Sequence, residues 1–138
     1  MALASHEIAV GVVAYFDVKA LNADPRVQLP RNPTPRNGPF VCVAVKGDRS
    51  TWTPLTYSER DERLEIADEW RIDGTDAWHK KTPYLNDGAV TYTADNNAIV
   101  DAAATADTYR PETRQRVSPE GIEAVLKEIA SRGGSVLK

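Results

Sequence analysis

At 138 residues the chain has the size at which one domain can enclose a core without disulfide or metal staples. Apolar residues at 41% and charged residues at 27% exclude a disordered or fibrous chain, and a net charge of −3 excludes a global pull toward nucleic acid, so any such site must be a local basic patch. The one cysteine, Cys42, lies in the apolar run Phe40-Val41-Cys42-Val43-Ala44-Val45, which excludes a disulfide framework or Cys-ligated zinc. No apolar run approaches the roughly 20 residues that cross a bilayer. The N-terminal residues show no basic stretch ahead of an apolar one. The expectation is a single cytoplasmic domain over residues 1–138 with no membrane contact.

Gly11 to Val18 is a short run with β-branched and aromatic residues and predicts the first strand. Residues 19–38 carry prolines at 25, 30, 33 and 35, which suit neither a helix interior nor a central strand, and are expected to form one long loop. Arg31 and Arg36 make its second half basic, and loops of this length tend to be functional or disordered. Pro39 to Val45 predicts a second strand, and the turn residues of Lys46-Gly47-Asp48-Arg49-Ser50 join it to a third over Thr51 to Thr56. Pro54 marks that third strand as an edge, or as ended by a bulge.

Ser58 to Ile66 is densely charged and reads as a solvent-facing turn leading into a short strand. Trp70 and Trp78 flank Asp73-Gly74, which predicts a tight turn with a tryptophan on each side. Asp87-Gly88 followed by alternating Ala89 to Thr93 predicts another half-buried strand. Ile99 to Ala103 fits either the end of a strand or the start of a helical turn. A helix is predicted over residues 118–132: Ser118 is a good N-cap, Pro119 suits the first turn and Glu120 complements the dipole. Ile122, Val125, Leu126 and Ile129 form one apolar stripe, and Gly133 suits a left-handed end. The fold class is therefore mainly β (α+β), closed by one amphipathic C-terminal helix.

Several stretches together carry a resemblance. Gly11-Val12-Val13-Ala14-Tyr15-Phe16-Asp17 matches a strand of the form G-x-V-x-x-x-D. Asn37-Gly38-Pro39-Phe40-Val41 stands where an R-P-x-x-V strand follows a basic loop. Pro54-Leu55-Thr56 matches a P-L-T triplet, and Ala94-Asp95-Asn96 with Asp101 matches x-D-Q-x-x-x-x-D. In this order the chain resembles the PemK/MazF-like toxins, with an apparent insertion over residues 59–83. The resemblance implies a small SH3-like β-barrel. It also implies a homodimeric endoribonuclease that cuts single-stranded RNA without metal or cofactor and is held by a cognate antitoxin protein.

That chemistry moves the ribose 2′-hydroxyl onto the adjacent phosphorus, so it needs proton transfer and stabilisation of charge on the phosphoryl oxygens. By the resemblance, Asp95 would transfer the proton and Thr56 would donate to a phosphoryl oxygen. The family's arginine positions hold Gly38 and Thr93 here. Arg36, two residues ahead of Gly38, would supply the guanidinium instead, with Arg31, Lys80 and Lys81 binding substrate. Each residue also has an ordinary explanation: Thr56 as a strand end, Asp95 as a turn former, the arginines as solubilising charge. His6 and His79 lack the spacing of a metal pair, and the tryptophans suit a core. The alternative is a non-catalytic SH3-like barrel that binds protein or nucleic acid. A structural or virion-associated β-domain is the third reading.

Overall fold

The computed structural model describes residues 2–138. Its eight strands are β1 (Val13–Phe16), β2 (Val27–Gln28), β3 (Gly38–Lys46), β4 (Arg49–Thr56), β5 (Arg71–Asp73), β6 (Tyr84–Leu85), β7 (Tyr92–Asp95) and β8 (Gln115–Val117). The four α-helices are α1 (Val18–Ala23), α2 (Asp76–Lys80), α3 (Asn96–Ala103) and α4 (Pro119–Ser131). All strand pairs are antiparallel. The main sheet runs β1-β3-β4-β7-β2, with β6 also on β4, and β5 pairs with β8. Among the described residues these pairings close no barrel, and no helix is long and apolar enough to cross a membrane.

The centre is the β3–β4 hairpin, turned by Gly47-Asp48 with Gly47 at a φ of 61° that a two-residue turn demands. Its apolar runs are nearly continuous because both faces of the sheet are covered. On one face Phe16, Phe40, Trp52 and Tyr92 pack with Leu21 of α1 and Ile99 of α3. Phe16 lies 5.0 Å, centroid to centroid, from both Phe40 and Trp52. On the other face Val13, Val41, Val43 and Leu55 meet Trp78 and the α4 stripe of Ile122, Val125 and Ile129. Burying each such side chain contributes about 1.5–3 kcal/mol.

Several expectations change. Residues 19–38 are not one loop. Asp17 caps α1 by accepting from Lys19 N–H at 3.0 Å and Ala20 N–H at 3.3 Å, and Pro25 stops the helix by holding Asp24 extended. Residues 27 and 28 then pair with β7. Pro54 neither ends β4 nor marks an edge. It sits where β4 exchanges β7, paired as far as Trp52, for β6, paired from Leu55, so its missing N–H falls between two ladders. The bulge lies instead in β3, between Cys42 and Ala44. Residues 58–66 form only an isolated bridge, Glu65 to Tyr84. Asp73-Gly74 forms the expected turn with Trp70 ahead of it and Trp78 after it; both turn residues take positive φ, and the turn leads from β5 into α2. Ile99 to Ala103 is helical, inside α3.

β8 joins β1 through a Val12–Arg116 bridge and a Val117 N–H donated to the Gly11 carbonyl at 2.8 Å. Behind this junction Arg114 is fully buried. Its Nε donates to Glu7 at 2.9 Å, Nη1 to the Val13 carbonyl at 3.0 Å and Asp107 at 3.3 Å, and Nη2 to Asp107 at 2.9 Å and the Tyr109 carbonyl at 3.3 Å. All five guanidinium protons are used. Burial would raise the Glu7 carboxyl, but the Ala4 N–H and Arg114 outweigh it and hold that group below its ordinary value of 4.5.

Arg114→Met is expected to cost about 3–5 kcal/mol, because it strands two buried carboxylates, and urea unfolding at pH 7 measures it. Because the folded carboxyl of Glu7 titrates low, its contribution is complete above the unfolded value and is lost as pH falls through the folded one. Glu7→Gln should therefore flatten the decline of the urea midpoint below pH 4.5.

Candidate nucleic-acid corner

Three of the residues singled out in the sequence come to one corner of the sheet, where β3 begins and β4 ends. Continuing the Phe40–Pro54 register puts Gly38 opposite Thr56, and a Cβ on Gly38 would lie 4.0 Å from the Leu55 carbonyl. The position where the resemblance calls for an arginine thus faces Thr56 and holds glycine. Arg36, exposed, enters from two residues upstream. The Thr56 hydroxyl accepts from Ser58 N–H at 3.2 Å and is half-buried. The third residue is Lys81, whose ammonium sits 4.7 Å from the Tyr57 ring centroid. Lys80, beside it, is exposed in the last turn of α2.

Around these lie three half-buried tyrosines that no sequence motif marks as site residues. Tyr15 pairs with Pro39 and so shares the sheet face of Val13 and Leu55, and Tyr57 follows Leu55 on that face. Tyr109 packs against the same core, its ring 5.8 Å from the Arg114 guanidinium. The phenols lie within one another's fields. Burial raises Tyr57, with Arg71 pulling it down and Tyr15 up; burial also raises Tyr109, with Tyr57, Asp107 and Tyr15 adding to the rise.

Behind Lys81 stands Arg71, its side chain only 4% exposed. It donates to the Trp78 carbonyl at 2.9 Å and the Lys81 carbonyl at 3.2 Å, which fixes the backbone that carries the ammonium. Its Nε has no partner. The corner therefore offers tyrosine rings, the ammonium of Lys81 and the exposed guanidinium of Arg36, with buried Arg71, 3.5 Å from Asp68, supporting them from behind. Such a set suits flat rings and phosphates.

The remaining predicted residues lie elsewhere. Asp95 pairs with Arg49, at the far end of β4 from Thr56, with 3.7 Å between Arg49 Nε and the carboxylate. Seven residues of strand, roughly 23 Å at the usual rise, separate that end from Thr56, so one chain does not bring Asp95 and Thr56 onto one phosphate. Arg31 lines a cavity beside the proline-rich segment. Among the described residues no group of three or more His, Cys, Asp or Glu could hold a metal ion. His79 instead holds the turn, its Nε2 2.6 Å from the Asp73 carbonyl oxygen. Trp52 and Trp78 are wholly buried and fill the core.

No local pattern announces the tyrosine corner, because Tyr15, Tyr57 and Tyr109 are brought together by three separate strands and loops. The one legible hint is that Tyr57 directly follows the Pro54-Leu55-Thr56 triplet. No family model, no curated protein and no solved structure matches this chain.

Thiol chemistry has no place at the site. Cys42 is fully buried, and burial pushes its thiol up to about 12. Ellman's reagent at pH 8 is expected to leave the folded protein unlabelled and to titrate one thiol in guanidinium chloride. Rapid labelling of folded protein would contradict this burial.

Proposed function

We propose that the chain is a non-catalytic nucleic-acid-binding module on an open, SH3-like sheet, and that single-stranded RNA is its ligand. The observation that carries this reading is the ammonium of Lys81 over the Tyr57 ring, beside Tyr15 and Tyr109, at an open strand end. A base would stack on the ring of a half-buried tyrosine of this corner, and Lys81 and Arg36 would meet the flanking phosphates. Stacking and charge need no hydrogen-bond code, so weak sequence preference follows. Glycine opposite Thr56 and the distance to Asp95 favour binding over cleavage.

The endoribonuclease reading keeps one supporting observation: Arg36 and Thr56 belong to the same strand-end corner. It would require Asp95 from a second copy of the chain, hence a homodimer, and an antitoxin to restrain it.

Fluorescence anisotropy with a labelled mixed-sequence oligoribonucleotide at low salt separates the two. Binding is expected to weaken about tenfold in Tyr57→Ala, in line with about 1–3 kcal/mol per stacked base, and comparably in Lys81→Ala, with the RNA intact. The salt slope should fall by about 0.7 when Lys81 is removed. Failure of folded wild-type protein to bind RNA would sink the proposal. Products ending in 2′,3′-cyclic phosphate, absent with Arg36→Ala, Thr56→Ala and Asp95→Ala, would replace it with the nuclease.

A further inference from the structure

A trough beside the proline-rich segment has no part in that reading. Two cavities of about 430 and 460 Å³ share Asn32, Asp87, Val90 and Arg132 and so make one trough with two lobes. That size suits a small organic ligand.

Residues 28–35 form one wall. Pro30, Pro33 and Pro35 restrict its backbone, and buried Thr34 pins it: its N–H donates to the Tyr92 hydroxyl at 2.8 Å, and its carbonyl accepts from Asn22 Nδ2 at 3.4 Å. The wall is preorganised, so little ordering entropy opposes binding.

Every lysine is absent from the lining, whereas arginine is present four times, as Arg31, Arg60, Arg63 and Arg132. Two of the four are committed to the walls. Arg63 donates to the Asn86 carbonyl at 3.1 Å, the Asn86 side chain at 2.9 Å and the Ser58 carbonyl at 2.8 Å. Arg132 donates to Glu128 at 3.0 Å and the Glu62 carbonyl at 3.1 Å.

Of the acids of the trough, Glu128 pairs with Arg132 at 3.0 Å, while Glu62 and Asp87 form no ion pair among the described residues, so the four arginines outnumber the three carboxylates. Asp87 receives the Ala89 N–H at 2.9 Å. Arg31 in one lobe and Arg60 in the other make no ion pair or side-chain hydrogen bond among the described residues. Both present a planar fork suited to bidentate capture of an oxyanion.

We propose that this trough is a second site, for a small molecule with two separated acidic groups, one held by Arg31 and one by Arg60. Phosphate and carboxylate share the required geometry.

Isothermal titration calorimetry of the full chain with fructose 1,6-bisphosphate and with the dicarboxylate glutarate tests this, glucose 6-phosphate serving as the single-acid comparison. Expected is a dissociation constant below about 1 mM for at least one doubly charged compound, about tenfold tighter than for the single acid. Which compound binds identifies the acidic group. Arg31→Ala and Arg60→Ala should each weaken binding about tenfold or more, the loss expected for a hydrogen-bonded charge. Arg36→Ala and Lys81→Ala, in the RNA corner, should leave it unchanged. No binding by folded wild-type protein, survival of binding in the Arg31→Ala, Arg60→Ala double variant, or equal losses in the corner variants would overturn the proposal.

Discussion

A positive charge buried in the interior organises this protein. Moving a guanidinium and two carboxylates out of solvent costs several kcal/mol per ion, and the cluster persists because every donor of Arg114 finds an acceptor. The acceptors come from four places in the chain: Glu7 near the N-terminus, the Val13 carbonyl on β1, Asp107 after α3, and the Tyr109 carbonyl. Asp107 in turn receives the Tyr15 N–H at 3.1 Å. One side chain just ahead of β8 thereby sets the position of β1 and of two of the three corner tyrosines. A neutral side chain of equal volume would fill the space but would not fix those orientations, which depend on directed hydrogen bonds.

The sheet has little surface left for ligands. Helices α1 and α3 cover one face and α4 with Trp78 covers the other, so the exposed chemistry is confined to strand ends and connecting segments. This is the usual division between a rigid scaffold and the loops that carry function. It explains why the corner forms where β3 starts and β4 stops, and why the trough follows the connection between β2 and β3. Both places are held by buried groups, Arg71 behind the corner and Thr34 behind the trough, so neither depends on a floppy loop.

The arginines fall into three populations that composition does not distinguish. Arg63, Arg71, Arg114 and Arg132 bind backbone carbonyls and serve the fold. Arg26, Arg49 and Arg116 pair with carboxylates. Arg31, Arg36, Arg60 and Arg110 have no side-chain partner of either kind among the described residues. On a chain of net charge −3, uncommitted guanidiniums are the ones able to attract an anion, because their charge has not been spent on a neighbouring carboxylate.

The sequence by itself determined what local rules govern. The α4 helix was legible because its cap, first-turn proline, apolar stripe and terminal glycine are all contiguous; Ser118 accepts from Gly121 N–H at 3.2 Å. The β3–β4 hairpin was legible because Gly47-Asp48 allows few other conformations, and Cys42 could be placed by its apolar neighbours alone. Tertiary structure decided the rest. It made a helix of 18–23 inside a proline-rich stretch, because Asp17 supplies a cap and Leu21 reaches the core. It carried β4 through Pro54 by changing partners there. It set Asp95 and Thr56 at opposite ends of one strand and gathered Tyr15, Tyr57 and Tyr109 at one corner. These outcomes depend on strand register and on partners as far as 107 residues apart in the chain, as Arg114 is from Glu7, and no window of neighbouring residues encodes such pairings.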